Sequence, residues 1–88
     1  MLIPKRTKKF EKDLKRCQKR LKDTEKLKAV MSLLIQEKPL SLSQRDHKLV
    51  GNYADCRECH VEPDWLLIYR KMDGYVVFEA TGTHADLF

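Results

Sequence analysis

Phe10, Leu14, Cys17 and Leu21 recur at intervals of four, three and four residues, and most positions between them are Lys or Arg. Residues three and four apart share one face of an α-helix, so these four form a single apolar stripe. Thr7 stands where such a helix needs a capping hydroxyl. Asp23 and Thr24 offer the N-cap of a second helix, and Leu27, Val30, Met31, Leu34 and Ile35 make its apolar face. That helix must stop before Pro39, because the residue preceding a proline resists helical geometry. Two amphipathic helices joined by a short turn read as an antiparallel pair, and the stripe that includes Met31 reads as core.

The period changes after the loop at 38–46. Residues 56–61, 65–72 and 75–80 are short runs rich in aromatic or β-branched side chains, punctuated by Pro63 and Asp73-Gly74. Asp-Gly between two such runs is a hairpin signal. Leu2-Ile3 reads as a short first strand, with Pro4 at a strand end or edge. In the 65–72 run, alternation puts Trp65, Leu67, Tyr69 and Lys71 on one face and Leu66, Ile68, Arg70 and Met72 on the other. Apolar residues on both faces make this a central strand. The expected fold class is α+β: two N-terminal helices packed on one face of a small, mostly antiparallel sheet, the other face free to hold a site. A chain of 88 residues suits one domain, 1–88, with one modest core and no rigid cofactor cavity.

Charge is unevenly spread. Residues 1–28 hold 12 Lys/Arg against 4 Asp/Glu, residues 29–88 hold 6 against 9, and the whole chain is +5. The basic first third suits a polyanionic partner, nucleic acid or an acidic protein, or else a solvated helix face. The opening residues lack the apolar run of a signal peptide, and charges interrupt the chain too often for a membrane span. A cytoplasmic protein with no membrane partner is expected. Three cysteines without a secretion signal fit reduced thiols better than a disulfide framework.

Cys56-Arg57-Glu58-Cys59-His60 matches C-x-x-C-H, the spacing of c-type haem attachment. Both thiols would have to reach one macrocycle, whereas a strand sends Cys56 and Cys59 to opposite faces. Zinc would need a fourth ligand, and no second Cys/His pair stands at finger spacing. A redox C-x-x-C lacks the helix N-terminus that lowers a thiol pKa. The cysteines read as small core residues, with no metal and no cofactor expected.

The three histidines, His47, His60 and His84, all follow residue 46, near strand ends or loops. Histidine suits acid–base work near neutral pH. RNA carries its own nucleophile, the 2′-OH, so cutting it needs a proton acceptor, a proton donor and a cation for the phosphorane, but no metal. His47, His60, Asp64, His84 and Arg57 include each type, and Trp65 and Phe88 are rings on which splayed bases can stack. From residue types and spacing alone, structural roles for the histidines stand equally open.

Asp46-His47-x-Leu49-x-Gly51, Arg57-x-x-His60-Val61-Glu62-Pro63-Asp64-Trp65-x-Leu67-Ile68-Tyr69 and Thr81-Gly82-Thr83-His84-Ala85-x-Leu87-Phe88 together resemble the YafQ branch of the RelE toxin family. The run Lys19-Arg20-Leu21-Lys22-Asp23 and the pattern around Leu27, Met31 and Ile35 resemble it too, so the likeness covers nearly the whole chain. The resemblance implies a RelE-like fold and the toxin of a bacterial toxin–antitoxin pair. Such toxins enter the ribosomal A site and cut messenger RNA. It implies a cognate antitoxin, with operator DNA contacted mainly through that antitoxin. It assigns His47, His60, Asp64 and His84 to catalysis; within that group we expect His84 as general acid, Asp64 or His47 as base or base-orienting group, and His60 as a phosphate-side or transition-state stabiliser. Trp65 and Phe88 match flanking residues important for activity, and Arg57, which matches an arginine of the family, is expected as a substrate-binding cation. The family often has an aromatic residue where this chain has Cys56. Gyrase-poisoning relatives, non-catalytic and ParE-like, share the fold but generally lack this histidine–aspartate group. A plain RNA-binding module is the other alternative.

Overall fold

The computed structural model describes residues 1–49, 53 and 55–88; Gly51 lies outside them. Thr7 caps α1 (Lys8–Lys19), its Oγ1 accepting the Phe10 N–H at 3.0 Å, and Asp23 caps α2 (Thr24–Ile35) through the Glu25 N–H at 3.1 Å. Both helices end in the same way. Leu21 and Glu37 take left-handed φ values of +57° and +58°. The following N–H groups of Lys22 and Lys38 then reach back to the Cys17 and Leu33 carbonyls at 3.0 and 2.9 Å. This turn satisfies carbonyls that a helix end leaves unpaired. It also corrects one expectation. Leu21 is not on the core stripe: the turn swings it out to 92 % exposure, and the buried set on α1 is Phe10, Asp13 and Cys17.

The sheet has the order β1-β5-β4-β3-β2, from β1 (Ile3–Arg6), β2 (His47–Lys48), β3 (Arg57–Glu62), β4 (Trp65–Met72) and β5 (Tyr75–Gly82). β1 runs parallel to β5 and every other pairing is antiparallel. β1 is an edge strand, which tolerates the missing N–H of Pro4. It runs on to Arg6, past the expected Leu2-Ile3. Asp73-Gly74 makes the hairpin between β4 and β5, with Gly74 at φ +78°, and Pro63-Asp64 makes a second tight turn between β3 and β4.

The helices cover one face. Phe10, Cys17, Leu27, Val30, Met31 and Leu34 pack against Cys59, Trp65, Leu67, Tyr69, Val76 and Phe78. Each helix meets the sheet more than its neighbour, α1 lying on β5 and α2 on β3. The other face is not bare, as the alternation implied. Cys56, Ile68 and Ala80 form a smaller cluster there, flanked by Leu49, Tyr53 and Leu87. Cys56 and Cys59 lie in different clusters, so one macrocycle cannot take both thiols. All three cysteines are free, and burial pushes the Cys59 thiol up to about 12. Among the described residues no helix is long and apolar enough to cross a membrane.

Candidate active site

Residues directly opposite in an antiparallel ladder project to the same side. His47 lies opposite Glu58, Glu58 opposite Ile68, and His60 opposite Leu66. β2 and β3 therefore raise His47, Glu58 and His60 on the face away from the helices. Glu58 is only 5 % exposed. A buried carboxylate needs partners, and both imidazoles supply them: His60 Nε2 lies 3.2 Å and His47 Nε2 3.5 Å from Glu58 Oε1.

The second half of the site comes from the Pro63-Asp64 turn and the end of β5. Leu66 pairs with Gly82, which sets that turn beside Thr83 and the short α3 (His84–Leu87). Asp64 Oδ1 accepts the His84 backbone N–H at 3.0 Å and faces His84 Nδ1 at 2.6 Å. The backbone N–H first, and the ring second, hold the Asp64 carboxyl below the usual carboxylate range. Asp64 is thus the acceptor, Nδ1 of His84 carries the hydrogen, and Nε2 of His84 is left for a substrate. The His84 and His60 rings stand edge to face, 5.9 Å between centroids. His47, Glu58, His60, His84 and Asp64 make one continuous array.

The array brings together all four residues expected in acid–base roles. Phe88 ends α3, is 63 % exposed and meets Tyr53 edge to face at 5.8 Å, so an open ring stands near the array. Tyr53 also puts an aromatic ring on the face where this chain has Cys56. Two expectations need correction. Trp65 is fully buried on the helix face, its Nε1 donating to Thr81 Oγ1 at 2.9 Å, and no face of its ring is open to a base. Arg57 pairs across from Tyr69 on that same face. Its Nε donates to Asp46 Oδ1 at 3.0 Å, and the same oxygen accepts the Tyr69 hydroxyl at 2.6 Å. It stands on the other side of the sheet from the histidines.

Glu58 was missed, hidden inside the C-x-x-C-H pattern. Strand alternation carried the signal, since it puts a glutamate beside His60 on a half-covered face. His47, Glu58 and His60 also offer one donor atom each within 4.8 Å of one another, two imidazoles and a carboxylate of the kind transition metals accept.

Residues 2–88 match the family described as a bacterial toxin of type II toxin–antitoxin systems, YafQ. The chain belongs to the YafQ family. It is 51 % identical over 80 residues, 90 % of this chain and 87 % of the relative, to the mRNA interferase toxin YafQ of Escherichia coli K12. YafQ from the E. coli DinJ–YafQ toxin–antitoxin complex superposes with a TM-score of 0.91 at 46 % identity, covering 99 % of this chain and 97 % of that one. A metal-bound toxin from Helicobacter pylori superposes with a TM-score of 0.93 at 39 % identity, covering 100 % of both. The α+β sheet-and-helix arrangement is that of the YafQ structures.

Proposed function

We propose that this YafQ-family toxin is an endoribonuclease that cuts messenger RNA on the ribosome without a metal and is silenced by a cognate antitoxin. The observation that carries this reading is the unbroken array from His47 to Asp64, with proton donors and acceptors on one half-covered face whose two ends, His47 and the His84–Asp64 pair, are exposed. The imidazolium of His84, held by Asp64, protonates the leaving 5′-oxygen through Nε2. The group around Glu58 supplies the base, with His47 the more exposed of its two imidazoles. The base takes the 2′-OH proton as that oxygen attacks phosphorus, the bond to the 5′-oxygen breaks, and a 2′,3′-cyclic phosphate and a 5′-hydroxyl remain. His60, between the two halves, stabilises the phosphorane charge. Phe88 is available to stack on a base.

The E. coli complex supports a DinJ-like antitoxin partner, with operator DNA met mainly through it and the cytoplasm as the site of action. Lys8, Lys12, Lys15 and Lys19 lie exposed on α1 and suit ribosomal RNA in the A site. The test is to map mRNA 5′ ends after brief induction. Wild type should cut within coding regions, and His84→Ala should lose about 10²-fold or more of that cutting. The exposed His84 side chain carries no core packing, so the fold should survive. Full cutting by His84→Ala overturns the mechanism. DNA supercoiling changes without new RNA ends would favour a non-catalytic toxin.

A second reading concerns the same side chains. The metal-bound H. pylori relative and the donor set here support capture of a transition metal such as Cu²⁺ by His47, Glu58 and His60. Such an ion would occupy nitrogens that the proton transfers need, and so would inhibit. Titrated Cu²⁺ should slow cleavage reversibly with chelator, and His47→Ala should weaken its binding. Cleavage that rises with metal would contradict the metal-free mechanism.

A further inference from the structure

α3 is a single turn whose first residue is His84. A turn that short has no stability of its own, yet it delivers His84 to Asp64 at 2.6 Å. The contacts that fix it come from its own Thr83 cap and from Arg16 and Arg20 at the C-terminal end of α1. Asp86 Oδ2 accepts the Thr83 N–H at 3.0 Å and Arg20 Nη1 at 2.7 Å, while Asp86 Oδ1 accepts Arg20 Nη2 at 3.3 Å. Arg20 thus meets the carboxylate with both terminal nitrogens, the fork that matches a carboxylate best. Arg16 Nε lies 3.6 Å from Asp86 Oδ2, and Arg16 Nη2 donates to the Thr81 carbonyl at 3.1 Å and pairs with Asp13 at 3.1 Å.

Gly82 sits under this contact. A Cβ there would lie 2.8 Å from Arg16 Nη2 and 2.9 Å from Asp86 Cβ. Only a residue without a side chain lets Arg16 and Asp86 close over the end of β5. The Arg20 bond first, and the Thr83 N–H second, hold the Asp86 carboxyl well below the usual range, so the pair stays charged through neutral pH.

We propose that Arg20 and Asp86 are positioning residues: their ion pair, with Asp86 lying over Gly82 beside Arg16, holds α3 so that His84 stays on Asp64 with its free nitrogen toward the substrate. The kinetic part of this inference rests on the ribonuclease reading. Arg20 is itself half-exposed, and a phosphate contact is the competing role.

The experiment uses the full chain with Arg20→Ala, Arg20→Lys, Asp86→Asn and the Arg20→Ala/Asp86→Asn double variant. Two quantities are read: kcat and KM for mRNA cleavage on programmed ribosomes, and the His84 ring Nδ1–H resonance of the RNA-free protein. A clamp predicts a kcat loss of about tenfold or more in each single variant with KM nearly unchanged. It also predicts a double variant no worse than the weaker single, partial recovery in Arg20→Lys, and a His84 resonance broadened or lost. Wild-type kcat with an unchanged His84 resonance in Arg20→Ala overturns the clamp. A raised KM at wild-type kcat also overturns it and makes Arg20 a phosphate contact. The resonance is read without RNA. If wild type cuts nothing, the ribonuclease reading fails and the resonance alone judges the clamp.

Discussion

Trp65 shows how one residue type serves two different purposes. Its place beside Asp64 suggests a ring for stacking bases, but its side chain is buried and its Nε1–H is spent on Thr81. Thr81 in turn donates from Oγ1 to the Leu66 carbonyl at 2.7 Å, and its backbone N–H goes to Asp13 Oδ2 at 3.1 Å. Trp65→Phe keeps most of the apolar volume and removes one donor from this network. It should lower unfolding stability by about 1–2 kcal/mol in a denaturant titration, while kcat per folded molecule stays near wild type. A large loss of kcat at wild-type stability would restore Trp65 to the substrate surface. At this scale the three histidines stand out by type, but Asp64 is one of seven aspartates and only the motif around it singles it out. Their partners do not stand out. Glu58 and Asp86 look like ordinary surface acids until strand register and a helix end bring them to His60 and Arg20.

At the scale of elements, β4 begins and ends where its residue pattern says, because turn residues bound it on both sides and its run is apolar on both faces, as a central strand requires. β5 runs two residues past the expected end at Ala80, through Thr81 and Gly82. Threonine and glycine carry little strand signal, and pairing with Leu66 and Leu67 makes the extension. β2 has two residues and α3 four; elements that short arise from tertiary contacts rather than from periodicity. β1 runs past Leu2-Ile3 for a related reason, since an edge strand parallel to β5 can carry Pro4-Lys5-Arg6 without an alternating pattern. The helix ends follow the same logic. A left-handed turn normally marked by glycine is made here by Leu21 and Glu37, so the apolar spacing overran the end of α1 and included Leu21. Parts held by contacts distant in sequence are those the sequence left open, and they are the parts that build the site.

Across the whole molecule, nine of the twelve cations of residues 1–28 fall into two sets; of the others, Arg6 and Lys28 pair locally with Glu11 and Glu25, and Lys5 lies over the Tyr75 ring. Lys9 and Arg16 pair with Asp13, Arg20 with Asp86, and Lys22 and Lys26 reach Glu62; these cations hold the fold together. Lys8, Lys12, Lys15 and Lys19 are exposed and join no ion pair among the described residues. They repeat at four, three and four residues, as Phe10, Leu14, Cys17 and Leu21 do, but two positions earlier. At about 100° per residue that offset puts them on the opposite side of α1, in a row about 16 Å long. The apolar side fixes the helix to β5, and the lysine side then has a fixed direction from which to meet a polyanion. If four phosphates are neutralised there, replacing the four lysines by glutamine should flatten the plot of log affinity against log salt by about three units. Binding to ribosomes across a salt series measures this directly. The kcat at saturating ribosome should be spared, since none of the four belongs to the histidine array. An unchanged slope would mean that the row faces solvent only, and that attraction to the ribosome comes from another surface.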